Sequence, residues 1–350
     1  MRYRTLGSTG MQVSTYCLGT MTFGPTGNPD HDECARIVDA AIDAGINFID
    51  TADIYSVGES ERIVGNALRG KRDNIILATK LFAPMGPDPN ERGNSRRWII
   101  REVENSLRRL ETDWIDLYQV HRSDPKTDIE ETLSALSDLI HQGKVRAIGC
   151  STFPAEKIVE AHWAAERRGL ERFRTEQPPY SIFTRGIERA VLPTVERYGM
   201  GAIVWSPLAG GWLTDKYRNP GEIDLTVGRA SGRPSHYDPT IPGNQRKVEL
   251  IGHLGDIADG AGISLTQMAL AFTVTHPAVT SAIIGLRTLT QLEDLLKGVD
   301  VVLSDETLDA IDALVPPGTN LSEEEAGWSP AALLSDPGAR RRAVSERAAG

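Results

Sequence analysis

A chain of 350 residues with 40% hydrophobic content can bury a large core, as one domain or two. Its formal net charge of -10 leaves no basic excess to neutralise nucleic acid or an anionic membrane surface. Three scattered cysteines, Cys17, Cys34 and Cys150, suit a reducing compartment better than a disulfide framework, no apolar run reaches the roughly 20 residues of a membrane helix, and Met1-Arg-Tyr-Arg-Thr is no signal peptide, so a cytoplasmic protein is expected.

Residues Tyr3 to Val13, with Gly7 and Gly10 as turn residues, read as an opening hairpin. Short apolar runs then alternate with amphipathic stretches, the signature of βα units. The strand candidates are Tyr16–Leu18, Asn47–Ile49, Ile75–Thr79, Trp114–Val120, Val145–Gly149, Arg174–Glu176, Ala202–Trp205 and Ser281–Ile284. Eight is the number that closes a parallel (β/α)8 barrel, so the expected fold is α/β, a barrel over residues 1–315 with a tail over 316–350.

Helix ends are marked as well. Asp30 with Glu33 reads as a capping box with Gly45 as the stop, and Thr127 with Glu130 opens a helix that ends near Gly143. Past Ser95, the residues Ile100, Val103, Leu107 and Leu110 form one apolar stripe to lay against a sheet.

Two connections break the rhythm: Pro84 to Arg97, and the longer Leu208 to Gln245 after the seventh strand. Loops of that length in a compact domain are commonly lids or binding loops. The tail either crosses the barrel mouth as a substrate lid or trails as a solvated helix.

Three successive strands finish in ionisable groups. Phe48-Ile-Asp50 leads into a loop carrying Tyr55, the next strand ends in Lys80, and the following one in His121. A barrel gathers its strand ends on one face, so these residues share a site whatever their separation in sequence. A free tyrosine has a pKa of about 10, and a nearby ammonium favours the phenolate, so Lys80 is expected to lower Tyr55. Asp50 is the counter-ion that keeps a buried lysine charged, and His121 can donate to a substrate oxygen. Singly, each has a plain structural reading; together at adjacent strand ends they read as proton-transfer chemistry.

Tyr3-Arg-Thr-Leu-Gly-Ser-Thr-Gly, Leu18-Gly-Thr-Met-Thr-Phe-Gly24, Asp50-Thr-Ala-Asp-Ile-Tyr55, the Lys80 strand end and His121-Arg-Ser-Asp-Pro125 resemble landmarks of the aldo-keto reductase superfamily. The resemblance spans about residues 1 to 315. It is strongest to a bacterial branch similar to potassium-channel β subunits and aryl-alcohol dehydrogenase-like reductases. It implies a tetrad in which Tyr55 is the general acid, Lys80 and Asp50 tune it, and His121 orients a small-molecule carbonyl substrate, with hydride from NADPH and NADH as the alternative donor.

No Gly-x-Gly-x-x-Gly follows a strand, and Gly65-Asn-Ala-Leu-Arg-Gly70-Lys71 runs on into Arg72 where a P-loop needs Ser or Thr, so neither nucleotide motif has support. Barrel enzymes often seat phosphate in the loops after the seventh and eighth strands. There, Trp205-Ser206-Pro207-Leu208-Ala209-Gly210-Gly211 offers an aromatic face and small residues, and Gly285-Leu286-Arg287 opens a helix, with Arg287 suited to a 2′-phosphate. By resemblance, Trp205 stacks on nicotinamide, Ser151 and Gln177 bond its carboxamide, and Lys216 and Arg229 close over the cofactor from the long loop. Thr20, Met21, Asp50, Ser206, Pro207, Leu208, Gly210, Gly285, Gln291 and Asp294 complete the implied cofactor set. Thr152 and Asp294-Leu295 depart from the residues usual in that branch. No metal-binding spacing is present. The second functional class left open is a nucleotide-sensing regulatory protein with slow turnover.

Overall fold

The computed structural model describes residues 1–218, 225–226, 230, 232, 234–322 and 325–327. Ten strands run in chain order: β1 (Tyr3–Thr5), β2 (Gln12–Ser14), β3 (Tyr16–Gly19), β4 (Phe48–Asp50), β5 (Ile76–Leu81), β6 (Ile115–Val120), β7 (Val145–Ser151), β8 (Thr175–Gln177), β9 (Gly201–Val204) and β10 (Val279–Gly285). The first two pair antiparallel as a separate hairpin, Tyr3 facing Ser14. The other eight are parallel and close into a barrel, with β10 meeting β3 through Gly285 and Gly19. The expected eight-stranded parallel barrel with its opening hairpin is borne out, and each proposed barrel strand ends within two residues of an observed one.

Helices cover the barrel: α1 (His31–Asp43), α2 (Glu59–Ala67), α3 (Arg96–Leu110), α4 (Ile129–His141), α5 (Ala155–Arg168), α6 (Val191–Arg197), α7 (Pro242–Gly260), α8 (Leu265–Thr275), α9 (Leu289–Leu296) and α10 (Asp305–Leu314). Asp30 caps α1 by accepting from Glu33 N. Two sequence readings shift. Asp128, not Thr127, caps α4, since the Thr127 hydroxyl is turned to Asp124. The buried stripe of α3 takes Ile99 rather than Ile100, because the apolar face is set by Trp98, Val103, Leu107 and Leu110 beside it. The long loop also ends earlier than Gln245, at Ile241, where Pro242 supplies a preset φ for the first turn of α7.

The strand pleat sorts side chains by level inside the barrel. Phe48, Ala78, Leu117, Ala147 and Ile203 pack together in the lower interior, plugged from below by Leu6 and Val13 of the hairpin. Gly7 at the hairpin turn has φ +53 and lies so close to Arg174 O and Gly201 N that a Cβ there would sit 2.5 Å and 2.7 Å from them. One pleat further along, Asp50, Lys80 and Gln119 occupy the positions two residues past Phe48, Ala78 and Leu117. Hydrocarbon thus gives way to polar groups toward the C-terminal end.

The tail begins as part of the fold: Leu321 N donates to Phe183 O, Gly186 N to Asn320 Oδ1 (2.8 Å), and Lys247 of α7 pairs with Glu325. Among the described residues, no single helix is long and apolar enough to cross a membrane.

Candidate active site

Lys80 is completely buried at the top of β5 and its ammonium is shared three ways. It donates to Asp50 Oδ2 (2.5 Å), to Thr51 O (2.9 Å) and to Tyr55 Oη (3.1 Å). Burial alone would strip its proton, but Asp50 and Tyr55 outweigh that cost and hold its pKa above the ordinary lysine value. The counter-ion expected from the sequence is therefore in place.

The Asp50 carboxylate is held from its other oxygen as well. Gln177 Nε2 donates to Oδ1 at 2.8 Å and Gln119 Nε2 at 3.1 Å. Sequence reasoning missed Gln119; the clue was its place midway between Leu117 and His121, on the inward face of the same pleat. The outward neighbour of Lys80, Thr79, donates to Glu61 of α2, which Arg109 of α3 clamps together with Glu102. A second buried ionic group outside the barrel wall thus fixes the strand that carries the lysine.

Tyr55 behaves differently from the sequence expectation. Burial pushes its pKa above the ordinary value and Lys80 only partly offsets this, so the net direction is up, not down. The phenol keeps its proton across the neutral range. His121 approaches it edge-on, with ring centroids 6.0 Å apart. Burial, reinforced by Lys80 and Arg122, drives the imidazole pKa well below its usual value, leaving it neutral with one N–H to donate.

Backbone strain gathers at the same end. The described non-glycine residues with positive φ are Ser56, Val57, Phe82, Thr152, Ser206 and Ala209, all in loops that leave the C-terminal ends of strands, and Glu111, which ends α3. Such conformations cost about 1–3 kcal/mol each and persist where the surrounding structure over-determines the backbone.

The remaining site residues fall into three groups. Ser151 and Gln177 lie buried at the floor of the mouth, the serine hydroxyl donating to Gln177 O (2.9 Å), and the Gln177 amide is committed to Asp50. Thr20 is fully buried with its hydroxyl on Asp50 O, while Met21 beside it is 51% exposed. On the rim after β9, Trp205, Ser206, Leu208 and Gly210 are half-buried and Pro207 is buried, with Gly210 N closing the turn onto Ser206 Oγ. Lys216 is exposed and lies over the Tyr217 ring. After β10, Gly285, Gln291 and Asp294 are exposed and Arg287 is half-buried; Gln291 Oε1 accepts from Arg287 N (2.7 Å) and Asp294 pairs with Lys297. Arg229 lies outside the described residues.

The rim suits a phosphate-bearing nucleotide on the chemistry of its donors. Arg287 and Lys216 have no carboxylate partner among the described residues, and Arg287 directly precedes the N-terminus of α9, where backbone N–H groups favour an anion.

The chain belongs to the aldo/keto reductase family, whose model matches residues 16–316. It is 37% identical over 340 residues to the uncharacterized oxidoreductase YrpG of Bacillus subtilis, covering 94% of this chain and 100% of that one. It is equally 37% identical, over 324 residues, to a probable voltage-gated potassium channel subunit beta of Arabidopsis thaliana (90% and 97% coverage), and 36% identical over 302 residues to the aldo-keto reductase YhdN of Bacillus subtilis (84% and 88%). It is therefore an oxidoreductase by family, and the two kinds of relative correspond to the two functional classes that the sequence left open.

Proposed function

We propose that this protein reduces aldehydes or ketones to alcohols, reversibly, with NADPH as the preferred donor. The observation that carries the reading is the Lys80 ammonium set between Asp50 and a still-protonated Tyr55. A phenol that keeps its proton can deliver it to a carbonyl oxygen as negative charge develops there, and Lys80 at 3.1 Å stabilises the phenolate left behind. The neutral His121 donates its N–H to the same oxygen and sets the carbonyl's orientation. Bound nicotinamide dinucleotide supplies the hydride. Trp205 would offer its ring a flat face, Ser151 and Gln177 would hold its carboxamide, the Ser206–Gly211 turn would receive the pyrophosphate, and Arg287 would take the 2′-phosphate. Lys216 would hold it from the long loop, with Gln291 and Asp294 toward the adenine end.

Stopped-flow NADPH oxidation with a panel of aldehydes, on wild type and Tyr55→Phe, tests the reading. A loss of about 10²–10⁴-fold in the variant is expected for removal of a positioned proton donor. Equal turnover in the two proteins would sink it.

The identity to the channel β subunit supports a second reading, a nucleotide sensor that turns over slowly. His121 speaks for the enzyme, since a sensor has no need of a carbonyl-orienting donor. Rapid multiple turnover favours the enzyme, and slow cofactor release with a stable protein partner favours the sensor.

A further inference from the structure

Arg122 follows His121 directly and folds back over the tetrad. Its Nη1 donates to His121 O (2.6 Å) and lies 3.5 Å from Ser151 Oγ, and its positive charge reaches Tyr55, where it opposes the effect of burial. The side chain is only partly exposed, yet no carboxylate among the described residues pairs with it. The nearest acid along the chain, Asp124, is spent on Asn94 N, Lys126 N and the Thr127 hydroxyl.

The other enclosed arginines are treated differently. Arg72 meets Asp116 at 2.7 Å, Arg109 meets Glu61 and Glu102, and Arg185 meets Glu188 and Asp312 at 2.9 Å and 2.6 Å. Arg4 instead donates to the Val274 and Val279 carbonyls. A guanidinium carries five N–H donors, and among the described residues Arg122 spends only Nη1, on His121 O and toward Ser151 Oγ, beside the phenol of Tyr55. Removing such a cation from water is costly, and burial holds its pKa below the ordinary arginine value, an effect that the charges of Tyr55 and Glu176 only partly offset. The fork geometry fits a planar carboxylate through two parallel hydrogen bonds.

The neighbouring loops supply apolar surface on the same face of the barrel. Met21 is 51% and Val57 66% exposed, and half-buried Phe82 follows β5. Val57 and Phe82 hold positive φ of +54 and +149, conformations a β-branched or aromatic residue adopts only under constraint. Gly93 N donating to Phe82 O at 2.7 Å is part of that constraint.

We propose that the mouth selects a carbonyl compound whose apolar body carries a carboxylate, with Arg122 holding the carboxylate while Met21, Val57 and Phe82 flank the body. Arg122 is a specificity residue in this assignment, which rests on Tyr55 acting as proton donor to the carbonyl.

The test compares 4-formylbenzoate with its methyl ester, two aldehydes that differ in one charge. Wild type should favour the acid in kcat/KM, and in Arg122→Gln the acid-to-ester ratio should fall roughly 10–100-fold through KM for the acid, the scale of a lost charged hydrogen bond. Arg122→Lys, a point charge without the fork, should retain an intermediate ratio. An unchanged ratio in Arg122→Gln, or a weakened NADPH affinity with the ratio intact, would overturn the assignment. Calorimetric titration of 4-formylbenzoate into the NADP⁺-loaded protein reads the same contact without turnover: a Kd at least tenfold weaker in Arg122→Gln supports the proposal, and equal Kd values overturn it. Turnover of neither aldehyde by wild type, with that binding difference present, would strike the role of Tyr55 and leave the anion pocket standing.

Discussion

The lower interior of the barrel and its mouth are lined by the same strands, one pleat apart, and they are built on opposite terms. Below, Phe48, Ala78 and Leu117 are fully buried hydrocarbon closed off by Leu6 and Val13. Above, two residues further along the same strands, Asp50, Lys80 and Gln119 are just as buried but polar and mutually bonded. Burying an ion pair is a poor route to stability, because desolvation cancels much of the attraction. The lower end therefore holds the barrel together, and the upper end spends part of that stability on a prearranged site.

The sharpest way to break this contrast is at Lys80. Lys80→Met strands the Asp50 charge and is expected to cost about 3–5 kcal/mol, along with reductase turnover, as read by denaturant melts and NADPH oxidation. Adding Asp50→Leu should return most of the stability and none of the turnover; a double variant as unstable as the single would show that the pair holds the fold. At the lower end, Phe48→Ala should cost about 3–5 kcal/mol by the same melts, while turnover per folded molecule stays within about twofold. A selective loss of turnover there would erase the division between the ends.

Glu176 gives a third, pH-dependent measure. Its burial raises its pKa to about 7 from 4.5, and among the described residues Oε2 has no hydrogen-bond partner while Oε1 accepts from Phe153 N. A raised carboxyl pKa means stability that is present below pH 4.5 and lost as pH rises through 7. Glu176→Gln removes that penalty, so its melting advantage over wild type should grow across this window to at most about 3 kcal/mol. A pH-independent difference would contradict it. Gln119→Leu, which deletes one donor to Asp50, should lower stability by about 1.5 kcal/mol and turnover by about tenfold.

The smallest expected effect is an absence. With Tyr55 shifted up and His121 shifted down, the reduction rate should show no inflection between roughly pH 6.5 and 10, the ordinary values of the two side chains. The proposed reduction uses the protonated phenol, so the fall belongs above that range. A break near pH 7 in the single-turnover rate would assign the proton elsewhere.

The strand ends were legible because a parallel barrel repeats one pattern and because ionisable residues closing apolar runs stand out. Asp50, Lys80 and His121 were found that way. Gln119 escaped because a neutral amide inside a strand carries no such contrast. The direction of the Tyr55 shift escaped for another reason: the pull of Lys80 can be inferred from adjacency, but the opposing desolvation depends on how completely neighbouring loops cover the ring. The caps of α4 and the stripe of α3 slipped by one residue, where several polar or apolar side chains compete for one position.

The pairing of β10 with β3 carries a consequence in time. Asp50, Tyr55, Lys80 and His121 have all been synthesised by residue 121, but the barrel that aligns them closes only when residues 279–285 meet residues 16–19. At about 5–20 residues per second, the roughly 160 residues in between take some 8 to 30 seconds to synthesise. During that interval the nascent chain holds Lys80 and Asp50 without the wall that excludes water from them. A chain whose proposed catalytic residues all lie in its first third must still wait for nearly its last strand to align them.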